Sequence, residues 1–258
     1  MDLGGPDDHV STPTAPAPAL RPPFRFLALP YELRLRIYEL LLVFPKTLDL
    51  DPVNSRTLIP ALRLFFVSRQ LHAEASRVFY SLNTFRIFPV HHRFFHTKYP
   101  LLSRLSATYR GYITKLELRL GPGWNKPPKG WAIDERASNR RRLRLADVLK
   151  VHMLKVFVDF DPASSEVFSG FRHKAGDEFY TTFCVELMGD LCVHLETINK
   201  VEFDAYPSVK KTSPLLKGLV KEAERRGLKI LWGPERGWEK VVDVDLAGVL
   251  EKMGLEGL

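Results

Sequence analysis

From Leu29 the chain reads LPYELRLRIYELLL, and Leu29, Leu33, Ile37, Leu40 and Leu41 fall at steps of four, four, three and one. That spacing predicts a helix with one apolar face. Pro30 suits a first helical turn, where its missing N–H would have no partner anyway. Glu32 near the start, with Arg34 and Arg36 further on, agrees with the helix dipole. Pro45 stops the helix, and residues 46–60 read as a loop around Asp51-Pro52 and Asn54-Ser55. A second helix is predicted after Pro60, because Leu64, Val67, Leu71, Ala75, Val78 and Leu82 keep three-four spacing as far as Ser81-Leu82-Asn83. Phe65, Phe66, Phe79 and Tyr80 widen its apolar surface, which places it between the first helix and the rest of the protein.

Beyond Asn83 the apolar period falls to two. Residues 85–88, 113–120, 154–160, 198–204 and 228–232 read as strands, with Gly121-Pro122-Gly123, Asp161-Pro162, Pro207 and Gly233-Pro234 as stops. Helices are predicted between them at 136–151, 177–195 and 213–226, and a last one at 238–253. Ser213-Pro214 is an N-cap followed by proline at the first helical position, and Gly227 supplies a stop. Strands alternating with helices favour a parallel sheet with right-handed crossovers. The strand starts at 113, 154, 198 and 228 are too unevenly spaced for a strict repeat.

The fold class expected is therefore α+β. A helical module at 24–83 leads into an irregular, leucine-rich-repeat-like βα domain at 84–258 with a mostly parallel sheet. Residues 1–23 carry Pro13, Pro16, Pro18, Pro22 and Pro23 among small residues, with no apolar period. Such a segment cannot bury enough surface to offset its ordering entropy and is expected to be a disordered tail.

Composition narrows the class. The chain has 258 residues, 45% hydrophobic and 26% charged, the balance of a globular protein. It has no run of 18 apolar residues, and its first residues lack the basic start and apolar core of a secretory signal. Its two cysteines, Cys184 and Cys192, exclude a disulfide framework and a four-cysteine zinc site. A soluble protein of the cytoplasm or nucleus is expected. Charge is uneven: residues 61–155 hold 19 basic and 5 acidic side chains, a net of +14, while the remainder is net −6. Such asymmetry marks either a surface for acidic partners or an ordinary arginine-rich exterior.

Enzyme chemistry finds no foothold. G-x-S-x-G, H-E-x-x-H, C-x-x-C and a phosphate-cradling glycine loop are all missing, so no catalytic residue, cofactor or metal is expected. His91, His92 and His96 have helical ligand spacing, but no nearby cysteine or carboxylate completes a site. Asp159-Phe160-Asp161, followed by Pro162, reads as a strand-ending turn. Two features suit partner binding. Arg140, Arg141, Arg142 and Arg144 form a compact basic cluster, fit for phosphate contacts, a nuclear address or a solvated helix face. Trp124 and Trp131 flank a basic Pro/Gly-rich loop, where indoles either stack on a partner or fold back on the core.

One segment carries a family resemblance. Leu29, Pro30, Glu32, Leu33, Arg34, Ile37 and Tyr38 are followed by Ser68, Arg69, Gln70, Glu74 and Ala75, and then by Phe79, Tyr80, Asn83 and Phe85. This succession resembles the N-terminal module of a large fungal F-box-like group. That module is a Leu-Pro-x-Glu-Leu-Arg-x-x-Ile-Tyr helix, a Ser-Arg-Gln-x-x-x-Glu-Ala helix and a Phe-Tyr-x-x-Asn-x-Phe ending. In the related two-EXR family Glu-x-Arg occurs twice. Glu32-Leu33-Arg34 matches the first, and Gln70-Leu71-His72 stands where the second would fall. The resemblance implies a non-catalytic interaction protein, a substrate receptor of a cullin-RING ubiquitin ligase of the SCF type. Leu29, Pro30, Leu33, Ile37 and Leu41 would then dock on a Skp-type adaptor, and the C-terminal domain would select a protein substrate. The same ridge would alternatively cap the βα core. The rival reading is an interaction module, or a non-specific nucleic-acid binder, that uses the basic 61–155 surface and never meets the adaptor. Sequence-selective nucleic-acid binding is not expected, because no groove-reading motif accompanies the basic cluster.

Overall fold

The apolar period of two becomes a five-stranded parallel sheet. The computed structural model describes residues 1, 24–50, 56, 58–88, 90–91, 94–95, 101–121, 145–160 and 175–238. The predicted tail, apart from Met1, and the predicted last helix beyond Trp238 lie outside the described residues. So do Trp124, Trp131, Arg140, Arg141, Arg142 and Arg144.

Strands β1 (Thr84–Arg86), β4 (Lys115–Leu120), β5 (Met153–Val158), β6 (Lys200–Ala205) and β7 (Lys229–Trp232) lie side by side in that order, every pair parallel. Two short strands, β2 (Val90–His91) and β3 (Phe94–Phe95), pair antiparallel apart from this sheet. The helices are α1 (Tyr31–Leu42), α2 (Ile59–Leu62), α3 (Arg69–Leu82), α4 (Leu101–Arg104), α5 (Ala107–Arg110), α6 (Ala175–His194) and α7 (Pro214–Arg225). The fold is thus mixed helix and strand around a parallel sheet, as the alternation predicted. Among the described residues no helix is long and apolar enough to cross a membrane.

Alternation along each strand sorts the sheet into two unlike faces. Phe85, Leu116, Leu118, Leu120, Leu154, Val156, Val158, Val201, Phe203 and Ala205 are completely buried on one of them. They join the apolar sides of α3, α6 and α7 in one core. The other face is polar. At the middle register Arg86, Glu117, Lys155 and Glu202 stand side by side on four consecutive strands. Arg86 pairs with Glu117 at 2.8 Å and with Asp49 at 3.2 Å, and Lys155 lies 3.6 Å from Glu202 and 3.3 Å from Asp204. One register further, Arg119 bonds Asp159 at 2.7 Å and lies over the rings of Phe157 and Tyr206.

These pairs join three of the nineteen basic residues of 61–155 to carboxylates of the acidic remainder. Arg86, Arg119 and Lys155 belong to the basic 61–155 stretch, while Asp49, Asp159, Glu202 and Asp204 belong to the acidic remainder. Basic and acidic parts of the sequence meet inside one sheet face, where partly buried pairs escape most screening.

Four sequence expectations need correction. The apolar run from Leu64 to Leu82 is not one helix. Its start belongs to a 3₁₀ turn at Arg63–Phe66 that continues α2, and the rest is α3, with the break at Val67-Ser68. Ser68 is extended (φ −157°, ψ 163°), and its hydroxyl accepts the Leu71 N–H, so α3 starts on its own N-cap. Apolar periodicity continues through a capping serine unchanged, which is why spacing alone missed the break. Loss of that cap should cost about 1 kcal/mol. Ser68→Ala is therefore expected to lower the urea midpoint slightly at unchanged slope, and Ser68→Asp to restore it.

The second correction is the predicted helix at 136–151. Its described end is a 3₁₀ turn at Leu145–Asp147 followed by non-helical chain, with Leu145, Val148 and Val151 buried at a spacing of three. Third, His91 sits in strand β2, so the helical ligand spacing assumed for His91, His92 and His96 does not hold there. His92 and His96 lie outside the described residues. Pro30, expected inside the first turn, is the N-cap of α1 one position earlier. By contrast Ser213 caps α7 through Leu216 N–H, and Gly227 ends it with φ +67°, both as the sequence indicated.

Candidate functional site

The motif residues of the N-terminal module prove to be one another's neighbours. Arg34 on α1 donates from Nε and Nη2 to the two carboxylate oxygens of Glu74 on α3, at 2.9 and 2.7 Å. The Tyr38 hydroxyl, one turn on, donates to Glu74 at 2.8 Å, and Gln70 adds a fourth hydrogen bond at 2.9 Å. Arg34 also donates to the Leu29 carbonyl, which ties down the chain ahead of the helix. Glu74 is thus a hub that fixes the rotation of α1 about its own axis. A bidentate guanidinium–carboxylate pair has fork geometry, so it orients as well as attracts.

The end of α1 is held just as specifically. Asn83, buried at the end of α3, donates from Nδ2 to the carbonyls of Leu42 (2.7 Å) and Phe79 (2.9 Å). Its Oδ1 accepts the Phe44 N–H at 2.8 Å. Phe79 and Tyr80 then pack on Phe85 of β1, with ring centroids 5.4 and 5.5 Å apart, and Tyr80 stacks on Tyr109 at 4.7 Å. His72 donates from Nδ1 to the Phe65 carbonyl (2.9 Å), and its Nε2 accepts the Tyr109 hydroxyl (2.6 Å). Helix α3 therefore sits between α1 and the sheet, as its two-sided apolar surface predicted.

Arg34, Tyr38 and Leu42 are the buried residues of α1 and Leu35 packs partly against the core, while its other three leucines turn away from it. Leu33, Leu40 and Leu41 are 54%, 72% and 52% exposed. Among the ridge residues, Leu29 and Ile37 are half-buried and Pro30 is exposed. Tyr31, Val43, Ile59, Phe66 and Val67 are exposed apolar side chains of the same helical module. A helix normally buries its apolar stripe. Here polar side chains take the inward positions through the Glu74 hub, and the aliphatic stripe faces water. Exposed apolar patches are the kind of surface on which partners dock.

The hub responds to pH. Hydrogen bonds from Arg34, then from Gln70 and Tyr38, outweigh burial and bring the Glu74 carboxyl down to about 2. Burial, and the Glu74 carboxylate, push the Tyr38 phenol well above its ordinary value. A depressed carboxyl contributes stability that is full above its ordinary value near 4.5 and lost as the pH falls toward about 2. The melting temperature is therefore expected to drop between pH 5 and 3, and to drop less in Glu74→Gln. Identical acid profiles for the two proteins would show that the hub does not couple to folding.

The cysteines are core residues. Cys184 and Cys192 are buried on α6, and burial raises their thiols to about 12 and about 11, which removes thiolate chemistry at neutral pH. Among the described residues no group of three or more His, Cys, Asp or Glu could hold a metal ion. Sequence reading found the ridge but missed the hub, although Arg34, Tyr38 and Glu74 all stand in the motif. Three polar residues from two helices form a site only once both helices are placed. No protein-family model, curated protein or solved structure matches this chain.

Proposed function

We propose that this chain is a non-catalytic F-box-like interaction protein. Helix α1 offers the ridge Leu29, Pro30, Leu33, Ile37 and Leu41 to a Skp-type adaptor of a cullin-RING ubiquitin ligase. The leucine-rich-repeat-like βα body carries the surface that selects a protein substrate. One observation supports this above the others: Leu33, Leu40 and Leu41 lie on the outside of α1, while Arg34, Tyr38 and Leu42 hold its inside. An amphipathic helix with its apolar side outward fits helix-in-groove recognition. The rival reading, an anionic partner held by the 61–155 surface, loses weight because Arg86, Arg119 and Lys155 already have carboxylate partners in the fold. The test is direct binding of the full chain to a purified Skp-type adaptor, with co-purification of adaptor and cullin from cells. Absence of adaptor binding would remove the ligase assignment.

A further inference from the structure

Just ahead of the neutral row Arg86, Glu117, Lys155, Glu202 lies a row of a different kind. Thr84, Lys115, Met153, Lys200 and Lys229 share one register across all five strands and project on the same face. Lys200 and Lys229 are direct cross-strand partners on β6 and β7. Lys115 stands two strands from Lys200, with Met153 between them. Lys229 is exposed and Lys115, Met153 and Lys200 are half-exposed. Like charges directly opposite one another destabilise a sheet. Elsewhere on this face cations and carboxylates are matched, but none of these three lysines has an ion pair among the described residues.

We propose that this lysine row is a docking surface for an acidic peptide segment of a partner protein. The row is three charges long and one side chain wide. Behind it, about 7 Å along each strand, stand the carboxylates of Glu117 and Glu202, held by Arg86 and Lys155. A nucleic-acid backbone, with a charge every ~1.7 Å of duplex axis, would press its excess phosphates onto those carboxylates. A peptide bearing two or three carboxylates matches the three ammonium groups and leaves the neutral row undisturbed. Met153 in the middle of the row gives such a segment an apolar contact between its charges. The surface does not depend on adaptor docking: β4, β5, β6 and β7 build it, and α1 contributes nothing to it.

The test is fluorescence anisotropy of the full chain with a labelled peptide bearing three glutamates, beside a labelled oligothymidine of similar charge, at low salt (~50 mM) and rising. Saturable peptide binding is expected, weakened about tenfold or more in Lys200→Glu/Lys229→Glu, since truncating or reversing paired charges acts strongly at a complementary surface. The pair Lys217→Glu/Lys221→Glu, on exposed positions of α7, carries the same change in net charge and should cost less than about twofold. In the single variant Lys229→Glu the new carboxylate faces Lys200, so the melting temperature should rise by ~2 °C. Equal loss in both double variants would reduce the effect to net charge and overturn the proposal. Tighter binding of the oligonucleotide through the same lysines would overturn it in favour of a nucleic-acid surface. No saturable peptide binding at low salt, or a fall in melting temperature for Lys229→Glu, would also overturn it. Adaptor binding should be unchanged in all these variants, and peptide binding unchanged in Leu33→Asp, so the two proposals fail separately.

Discussion

Leu33→Asp is expected to abolish binding to a Skp-type adaptor while the chain melts at nearly the same temperature. Leu33 is 54% exposed, so an aspartate at that position reaches water and little core packing is lost. In a complex the same carboxylate would be taken out of water without a partner, a cost of several kcal/mol. The margin for absorbing it is thin. Burying four or five aliphatic side chains from full exposure gains roughly 6–15 kcal/mol gross, and these begin partly buried. Association costs on the order of 4–15 kcal/mol. No ridge residue is then expendable, and a second exposed apolar element such as Phe66 or Val67 has to contribute. Calorimetric titration with the adaptor, beside thermal melting of both proteins, reads the two effects apart. Undiminished affinity in Leu33→Asp would show that adaptor contact lies elsewhere. A collapse of the melting transition would show that the ridge supports the fold.

Asn83→Ala is expected to have the opposite signature, a large loss of stability from a residue with no exposed surface. The side chain closes three hydrogen bonds, to Leu42 O, Phe79 O and Phe44 N–H, at the junction of α1 and α3. Alanine would leave those backbone groups buried with fewer partners, at about 1–3 kcal/mol each where water cannot replace the bond. Some replacement by water is expected at the half-buried Phe44, which gives about 3–5 kcal/mol in all. Urea denaturation measures it. Asn83→Asp is informative beside it, because a carboxylate can accept from Phe44 N–H but cannot donate to the two carbonyls. It should be nearly as damaging as alanine. A loss below about 1 kcal/mol in both would mean that the junction is held by packing of Phe79 and Phe85 alone.

The sheet was legible in the sequence because its signal is local. In KLELRL, KVEFDA and KILW the alternation itself says strand, and glycine or proline says stop. Helix α7 was legible for the same reason, with Ser213 and Gly227 marking both ends. What could not be read were properties that two segments make jointly. The stripe Leu29, Leu33, Ile37, Leu41 has the spacing of a core face, and only with the Arg34–Glu74 and Tyr38–Glu74 bonds in place does α1 turn Leu33 and Leu41 outward. That part of the basic charge of 61–155 is spent inside the fold could not be read either, until strand order set Lys155 beside Glu202 and Arg86 beside Glu117. The lysine row was hidden in plain view: Lys115, Lys200 and Lys229 each open a strand, but equal position in the pattern becomes equal position in space only when the registers align.

The middle row of the sheet also restricts how such a chain can grow or shrink. Its signs run plus, minus, plus, minus from β1 to β6. Removing a single strand–helix unit, for instance the one that supplies Lys155, would set Glu117 against Glu202. Duplicating that unit would set lysine against lysine. Between the ends of the charged row, only loss or gain of two adjacent units keeps opposite charges in contact. A solenoid of interchangeable repeats tolerates changes of one unit. Within its charged row this sheet counts in pairs, so an internal strand is bound to its place in the order, and single-unit changes are expected only at the ends, as at β7, where Leu231 carries no charge in this register.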